Sequence, residues 1–130
     1  MNKKQVILIV DDDEDDKQLF FEAVKEVDET IECRAASDGM EALKMLNDKK
    51  NSVPDYIFLD LRMPGIGGKK CLLEMRKKER LRNIPVIVYS TSTEIRDENE
   101  FKEAGVVHFI SKPANPQEIY YLVSFVINEC

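Results

Sequence analysis

Short apolar runs and helical periodicities alternate five times along this chain. The runs, at about 5–10, 31–36, 55–60, 85–90 and 107–111, are rich in β-branched and aromatic residues, which predicts strands. The stretches between and after them, at about 14–27, 39–48, 67–80, 94–104 and 116–128, repeat apolar residues every three or four positions and predict helices. Gly39, Gly65, Gly105, Pro54, Pro64 and Pro85 punctuate the connections. Strand and helix in alternation point to an α/β fold with a parallel sheet and helices on both faces. Strands one, three, four and five are almost wholly apolar and are expected to be central or covered on both faces. The second, Ile31-Glu32-Cys33-Arg34-Ala35-Ala36, carries two charges and reads as an edge.

The helices differ in how much they bury. The first places Leu19, Phe20, Ala23, Val24 and Val27 on one face, and the last places Ile119, Leu122, Val123, Val126 and Ile127 inward. The fourth, Glu94 to Ala104, offers only Ile95, Phe101 and Ala104 and is expected to be loosely held. On the last helix Tyr121 and Phe125 point away from the buried face. Two exposed aromatics on one patch suggest an output surface, for docking a partner or a second copy. Isolated surface aromatics are the plainer alternative.

Charge gathers where strands stop. The run Val6-Ile7-Leu8-Ile9-Val10 meets six acids, Asp11 to Asp16, and Tyr56-Ile57-Phe58-Leu59 ends on Asp60. Open α/β sheets place their ligand sites at this carboxyl end of the strands. Two carboxylates about 5 Å apart repel by about 3 kcal/mol at an effective dielectric of about 20, a sizeable part of a small domain's stability. Asp11, Asp12 and Asp60 therefore imply a bound cation, a basic partner or raised pKa values. An oxygen-only ligand set favours a hard cation such as Mg²⁺, with Mn²⁺ as a substitute. Asp13, Glu14, Asp15 and Asp16 read more simply as a helix opening that favours the helix dipole.

Composition narrows the class. The chain has 130 residues, enough for one core, and no linker or internal repeat, so residues 1–130 are expected to form a single domain without an output domain. A net charge of −6 argues against nucleic acid and anionic membrane as partners. No apolar run approaches the roughly 20 residues of a membrane span, and basic Met1-Asn2-Lys3-Lys4 precedes too short an apolar stretch for a signal peptide. Cys33, Cys71 and Cys130 have no metal-ligand spacing and read as free thiols of a reducing cytoplasm.

Three motifs are set aside. Gly65-Ile66-Gly67-Gly68-Lys69-Lys70 resembles a phosphate-binding loop, but Met63 stands where that loop needs its first glycine and Lys70 where it needs Ser or Thr. These glycines fit a turn leading into the third helix. The cluster Arg76-Lys77-Lys78-Glu79-Arg80-Leu81-Arg82 reads as a helix carboxyl end complementing the dipole. His108, the lone histidine, reads as a plain strand position.

Two further strand ends complete the inventory. Val86-Ile87-Val88-Tyr89 runs into Ser90-Thr91-Ser92, and Val107-His108-Phe109-Ile110-Ser111 runs into Lys112-Pro113. In a parallel sheet these ends share the rim of Asp60. Carboxylates, a hydroxyl and an ammonium together suit a phosphoryl group with Mg²⁺. Val10-Asp11-Asp12, Ser37-Asp38-Gly39-x-Glu41-Ala42-Leu43, Leu59-Asp60-Leu61-Arg62-Met63-Pro64-Gly65, Pro85-Val86-Ile87-x-x-Ser90 and Lys112-Pro113 follow in order. In these motifs, over essentially its whole length, the chain resembles the receiver domain of two-component response regulators in its stand-alone, chemotaxis-type form.

The resemblance implies a flavodoxin-like, doubly wound (βα)5 fold with strand order 2-1-3-4-5. It implies that Asp60 is the phosphoacceptor, taking a phosphoryl group from a histidine kinase or a histidine phosphotransfer protein. Asp12 matches the direct metal ligand, Asp11 the acid that helps hold the metal, and the Arg62 backbone carbonyl the remaining protein ligand. Ser90 matches the hydroxyl that moves to bind the phosphoryl oxygen, Lys112 the phosphate partner, and Phe109 the aromatic switch that turns inward with Ser90. The bond before Pro113 is expected to be cis. Phosphorylation would shift populations toward an active surface of the fourth helix, fifth strand and fifth helix, which binds a downstream protein or forms a phosphorylation-dependent homodimer. Such a protein assists its own phosphorylation and dephosphorylation and is otherwise not an enzyme.

Two positions depart from the family's usual residues. Arg62 places a cation two residues after the phosphoacceptor, and Phe109 replaces the tyrosine of some members. Two rivals stand beside this reading. A Mg²⁺-dependent aspartyl phosphatase would need a second acid two residues after its nucleophile, where Arg62 stands. A degenerate receiver acting as a constitutive interaction module would lack some of the five key positions, all of which are present here.

Overall fold

The protein is described by a computed structural model covering residues 5–63, 65, 67–90 and 98–129. Met1, Asn2, Lys3, Lys4, Pro64, Ile66, Thr91, Ser92, Glu94, Ile95 and Cys130, named above, lie outside the described residues, so the expected start of the fourth helix at 94 does too.

Five parallel strands form one sheet in the order β2-β1-β3-β4-β5. They are β1 (Val6–Val10), β2 (Glu32–Ala36), β3 (Tyr56–Leu59), β4 (Val86–Ser90) and β5 (Val106–Ser111). The helices are α1 (Glu14–Val27), α2 (Gly39–Asn47), α3 (Gly67–Arg76), α4 (Glu98–Glu103) and α5 (Pro116–Glu129), with a 3₁₀ turn at Glu79–Leu81. The parallel pairing is that which the alternating pattern predicts, and the order is that which the resemblance implies.

Strand alternation splits the core in two. Leu8, Val10, Ile57, Leu59, Val86 and Val88 face Ala42, Leu46, Cys71, Leu72, Met75 and Phe101 from α2, α3 and α4. Ile7, Ile9, Phe58, Ile87 and Tyr89 face Phe20, Ala23 and Val24 of α1 and Ile119, Val123 and Val126 of α5. Polar caps set where helices start. The Asp13 carboxylate accepts from the Asp16 N–H at 3.0 Å, and Asp38 accepts from the Glu41 N–H at 2.8 Å. Glu41 reaches back to accept from the Ser37 N–H at 3.1 Å, which accounts for the spacing of Ser37-Asp38-Gly39-x-Glu41.

The structure corrects three expectations. β5 is the second edge of the sheet, as the order 2-1-3-4-5 implies, but it is not covered on both faces, since Val107 on it is 49% exposed. Its outer backbone edge has no partner strand among the described residues. α3 ends at Arg76 rather than at 80. The Arg76 guanidinium donates to five backbone carbonyls, those of Ala104, Leu81, Arg82, Ile84 and Gly105, at 2.5 to 3.4 Å. Arg80 donates to the carbonyls of Leu46 and Asn51. These residues thus tie loops together, beyond complementing a dipole. Finally, no peptide bond among the described residues is cis, so the bond before Pro113 is trans. The trans form is intrinsically favoured, and Lys112 reaches the rim from it: its N–H bonds the Ser90 carbonyl at 2.9 Å.

Candidate functional site

The rim is assembled by extending the strand ladders one residue past each strand. The Asp11 N–H donates to the Ala36 carbonyl at 3.0 Å, and the Asp60 N–H to that of Val10 at 2.9 Å. With Lys112 held on Ser90, four strand ends present Asp11, Asp60, Ser90 and Lys112 at one place, and Asp12 follows at the surface. The structure therefore brings together Asp11, Asp12, Asp60, Ser90 and Lys112.

Asp60 is buried and fully engaged. Its Oδ1 accepts from the Ser90 hydroxyl at 2.8 Å and from the Arg62 N–H at 3.0 Å. Its Oδ2 accepts from Lys112 Nζ at 2.9 Å. The backbone behind it leaves no slack: a Cβ on Gly68, in the first turn of α3, would lie 2.5 Å from the Asp60 carbonyl oxygen and 2.7 Å from Leu61 Cα. Gly65, before that helix, has φ +82°, the left-handed region that glycine tolerates.

Asp11 has no solvent exposure. Its Oδ1 accepts from the Asp13 N–H at 3.0 Å. Its Oδ2 lies 2.7 Å from Lys112 Nζ, off the line of a hydrogen bond, and is a buried oxygen with no hydrogen-bond donor. Burial pushes the Asp11 carboxyl up to about 6, against the lowering pull of Lys112. One oxygen from each of Asp11, Asp12 and Asp60 lies within 4.8 Å of the others. An orphaned buried oxygen within an all-carboxylate set fits a hard divalent cation.

Burial works against the charge on Lys112, but its contacts with Asp11, Asp60 and Asp16 outweigh that and raise its pKa above the ordinary range. Nζ also lies 5.9 Å from the Tyr89 ring centroid. Asp16, assigned only to the helix opening above, is in fact part of this site, with its Oδ2 2.9 Å from Lys112 Nζ. The partners are 96 residues apart, so no local pattern links them. Lys17 was also missed. It is buried and donates to Glu14 at 2.8 Å and to the Ser37 hydroxyl at 2.6 Å.

The switch and output residues lie away from the rim. Phe109 is half-buried, its ring centroid 6.3 Å from that of Phe101 on α4. Tyr121 and Phe125 are 69% and 50% exposed, as the helical pattern predicts. Tyr121 meets Tyr120 edge-on, and Phe125 covers His108 at 5.5 Å, so the histidine sits beneath an aromatic on β5. No helix among the described residues is long and apolar enough to cross a membrane.

Comparison with known proteins agrees with this geometry. Residues 7–124 match the response regulator receiver domain family. The phosphorylated cyanobacterial phytochrome response regulator RcpA superposes with a TM-score of 0.81 at 32% identity, covering 95% of this chain and 91% of that one. The Mn²⁺-bound form of response regulator Rcp1 gives 0.79 at 27% identity, covering 94% and 91%. The polar-differentiation response regulator DivK of Brucella ovis is 31% identical over 99 residues, 75% of this chain and 76% of DivK. The chain spans 10% or less of the histidine kinases it also matches. The chain thus belongs to the response regulator receiver family, the phospho-accepting signalling switches of two-component systems.

Proposed function

We propose that Asp60 is the phosphoacceptor of a cytoplasmic signalling domain, charged by a histidine kinase or a histidine phosphotransfer protein. One observation carries this reading: among the described residues, the buried carboxylate that receives both the Ser90 hydroxyl and the Lys112 ammonium is that of Asp60. In the transfer, an Asp60 carboxylate oxygen forms a bond to phosphorus as the donor's P–N bond breaks, and the electron pair leaves with the histidine nitrogen. Ser90 and Lys112, already on Asp60, are placed to donate to the incoming phosphoryl oxygens and to offset their charge. Asp11, Asp12, Asp60 and the Arg62 carbonyl would hold Mg²⁺ or Mn²⁺, the latter being the ion of the Rcp1 structure. When bound, the metal supplies charge stabilisation at the phosphoryl oxygens.

Readout would pass through β5. Ser90 pairs with Ser111 in register, and Phe109, two residues earlier, touches Phe101 of α4. Phosphorylation would bias this pair and, through it, the surface carrying Tyr121 and Phe125, to which a downstream protein or a second copy would bind. Mass spectrometry after treatment with acetyl phosphate and Mg²⁺ tests the reading. One acid-labile phosphoryl group is expected, lost in Asp60→Asn with the fold intact. Labelling of that variant at the normal rate would overturn the assignment, sustained turnover would favour the phosphatase, and no labelling of wild type the constitutive module.

A further inference from the structure

Lys112 carries more anionic contacts than an acceptor aspartate and its neighbouring acid account for. Its ammonium has three donors. Two point at Asp60 Oδ2 and Asp16 Oδ2, each at 2.9 Å, while Asp11 Oδ2 lies at 2.7 Å off the hydrogen-bond direction. Asp16 differs from the other two in origin and setting. It comes from the first turn of α1 rather than from a strand end, and its side chain is 36% exposed, against 1% for Asp11 and 8% for Asp60. It also lies outside the group of Asp11, Asp12 and Asp60 whose oxygens converge.

The backbone aims Asp16 at Lys112. Its N–H is fixed on the Asp13 carboxylate at the helix cap, and the Lys17 N–H bonds the Asp13 carbonyl at 3.1 Å. The Lys17 side chain leaves in another direction, to Glu14 and Ser37. Asp16 is not needed to keep Lys112 in place, because the Lys112 backbone is bonded to Ser90 and its ammonium retains the two more deeply buried carboxylates. What Asp16 adds is a competing anion. A phosphoryl group on Asp60 must draw the same ammonium, and each carboxylate that shares its charge weakens that pull.

We propose that Asp16 is a positioning residue that competes with the phosphoryl group on Asp60 for the Lys112 ammonium, and so lowers the affinity of the site for phosphoryl-like anions. The inference rests on the assignment of Asp60 as phosphoacceptor. Because Asp16 is partly exposed, the competition is modest, about two- to fivefold for an ion pair of this kind, and weakens as salt rises.

Binding of beryllofluoride in the presence of Mg²⁺, measured by calorimetry at about 50 mM and about 0.5 M salt, tests it on wild type, Asp16→Asn, Asp16→Ala and Asp16→Glu. Asn and Ala are expected to bind about two- to fivefold tighter at low salt, with the gap closing at high salt and Glu restoring the wild-type value. Initial labelling by acetyl phosphate, in which Asp60 oxygen bonds phosphorus as acetate departs with the P–O electron pair, should rise in parallel. Equal or weaker binding by both Asn and Ala overturns the competition. Glu behaving like Asn also overturns it, since charge would not be the cause. A wild type that neither binds beryllofluoride nor labels overturns the Asp60 assignment and this inference together. A wild type that does both, with variants indistinguishable from it, removes only the role of Asp16.

Discussion

Both faces of the sheet bury an apolar core, but their helices are secured by different means. On one, α1 and α5, with 14 residues each, close over Phe20, Phe58 and Tyr89, whose ring centroids lie 4.7 to 6.0 Å apart. On the other, α2, α3 and the described part of α4 have 9, 10 and 6 residues, and their ends are tied by guanidinium bonds from Arg76 and Arg80 to backbone carbonyls. An ion pair between Lys69 and Glu100 adds a link from α3 to α4. Packed aromatics give a face that shifts only as a whole. Short helices joined by hydrogen bonds can move one at a time, because carbonyls released by a side chain are readily taken up by water. Phe101 and Phe109 lie on this second face. The sheet thus separates a face closed by packed aromatics from one whose short helices also lean on side-chain hydrogen bonds, and the rim with Asp60 sits where both meet.

The strongest test of this contrast is Phe58→Ala. It empties the aromatic cluster and is expected to cost about 3–5 kcal/mol in denaturant unfolding. A cost near zero would mean that the face is not held by burial. Arg76→Ala probes the other side. It strips a donor from five carbonyls and is expected to cost about 2 kcal/mol. Amide exchange should quicken around Ala104 to Val106 while α1 and α5 keep their protection; uniform loss of protection would erase the distinction between faces.

The smallest effect is expected at the rim and depends on pH. The folded Asp11 carboxyl, at about 6, lies above its ordinary value of 3.8. The folded chain therefore binds this proton more tightly than the unfolded one. The resulting stability is present below about pH 4 and is lost as pH climbs to about 6. Asp11→Asn, uncharged throughout, is expected to stabilise the metal-free protein by about 1–2 kcal/mol at pH 7 and to leave it unchanged near pH 4. A variant less stable than wild type at pH 7 would show that the Lys112 contact outweighs burial.

Most of this architecture was legible from periodicity, because each strand and helix buries a face whose spacing is written locally. The rim acids, Ser90 and Lys112 were legible because each lies at the end of such a strand. What escaped depends on partners distant in sequence. Apolar content identifies β5 as a strand but does not show that Val107 is left exposed, which depends on what the helices cover. The basic run through Arg82 continues a helical pattern, yet Arg76 and Arg80 find carbonyls elsewhere and the helix ends. Asp16 looks like any helix-opening acid until β5 delivers Lys112 beside it.

Gly68 has a consequence for any attempt to diversify this protein. Its α-carbon faces the carbonyl of the proposed acceptor with no room for a methyl group. Alanine there would push on the Asp60 peptide itself, moving the carboxylate from a residue that never touches it. A library randomised at position 68 should accordingly return glycine alone under selection for signalling, while neighbouring Lys69, exposed on the same turn, accepts many replacements.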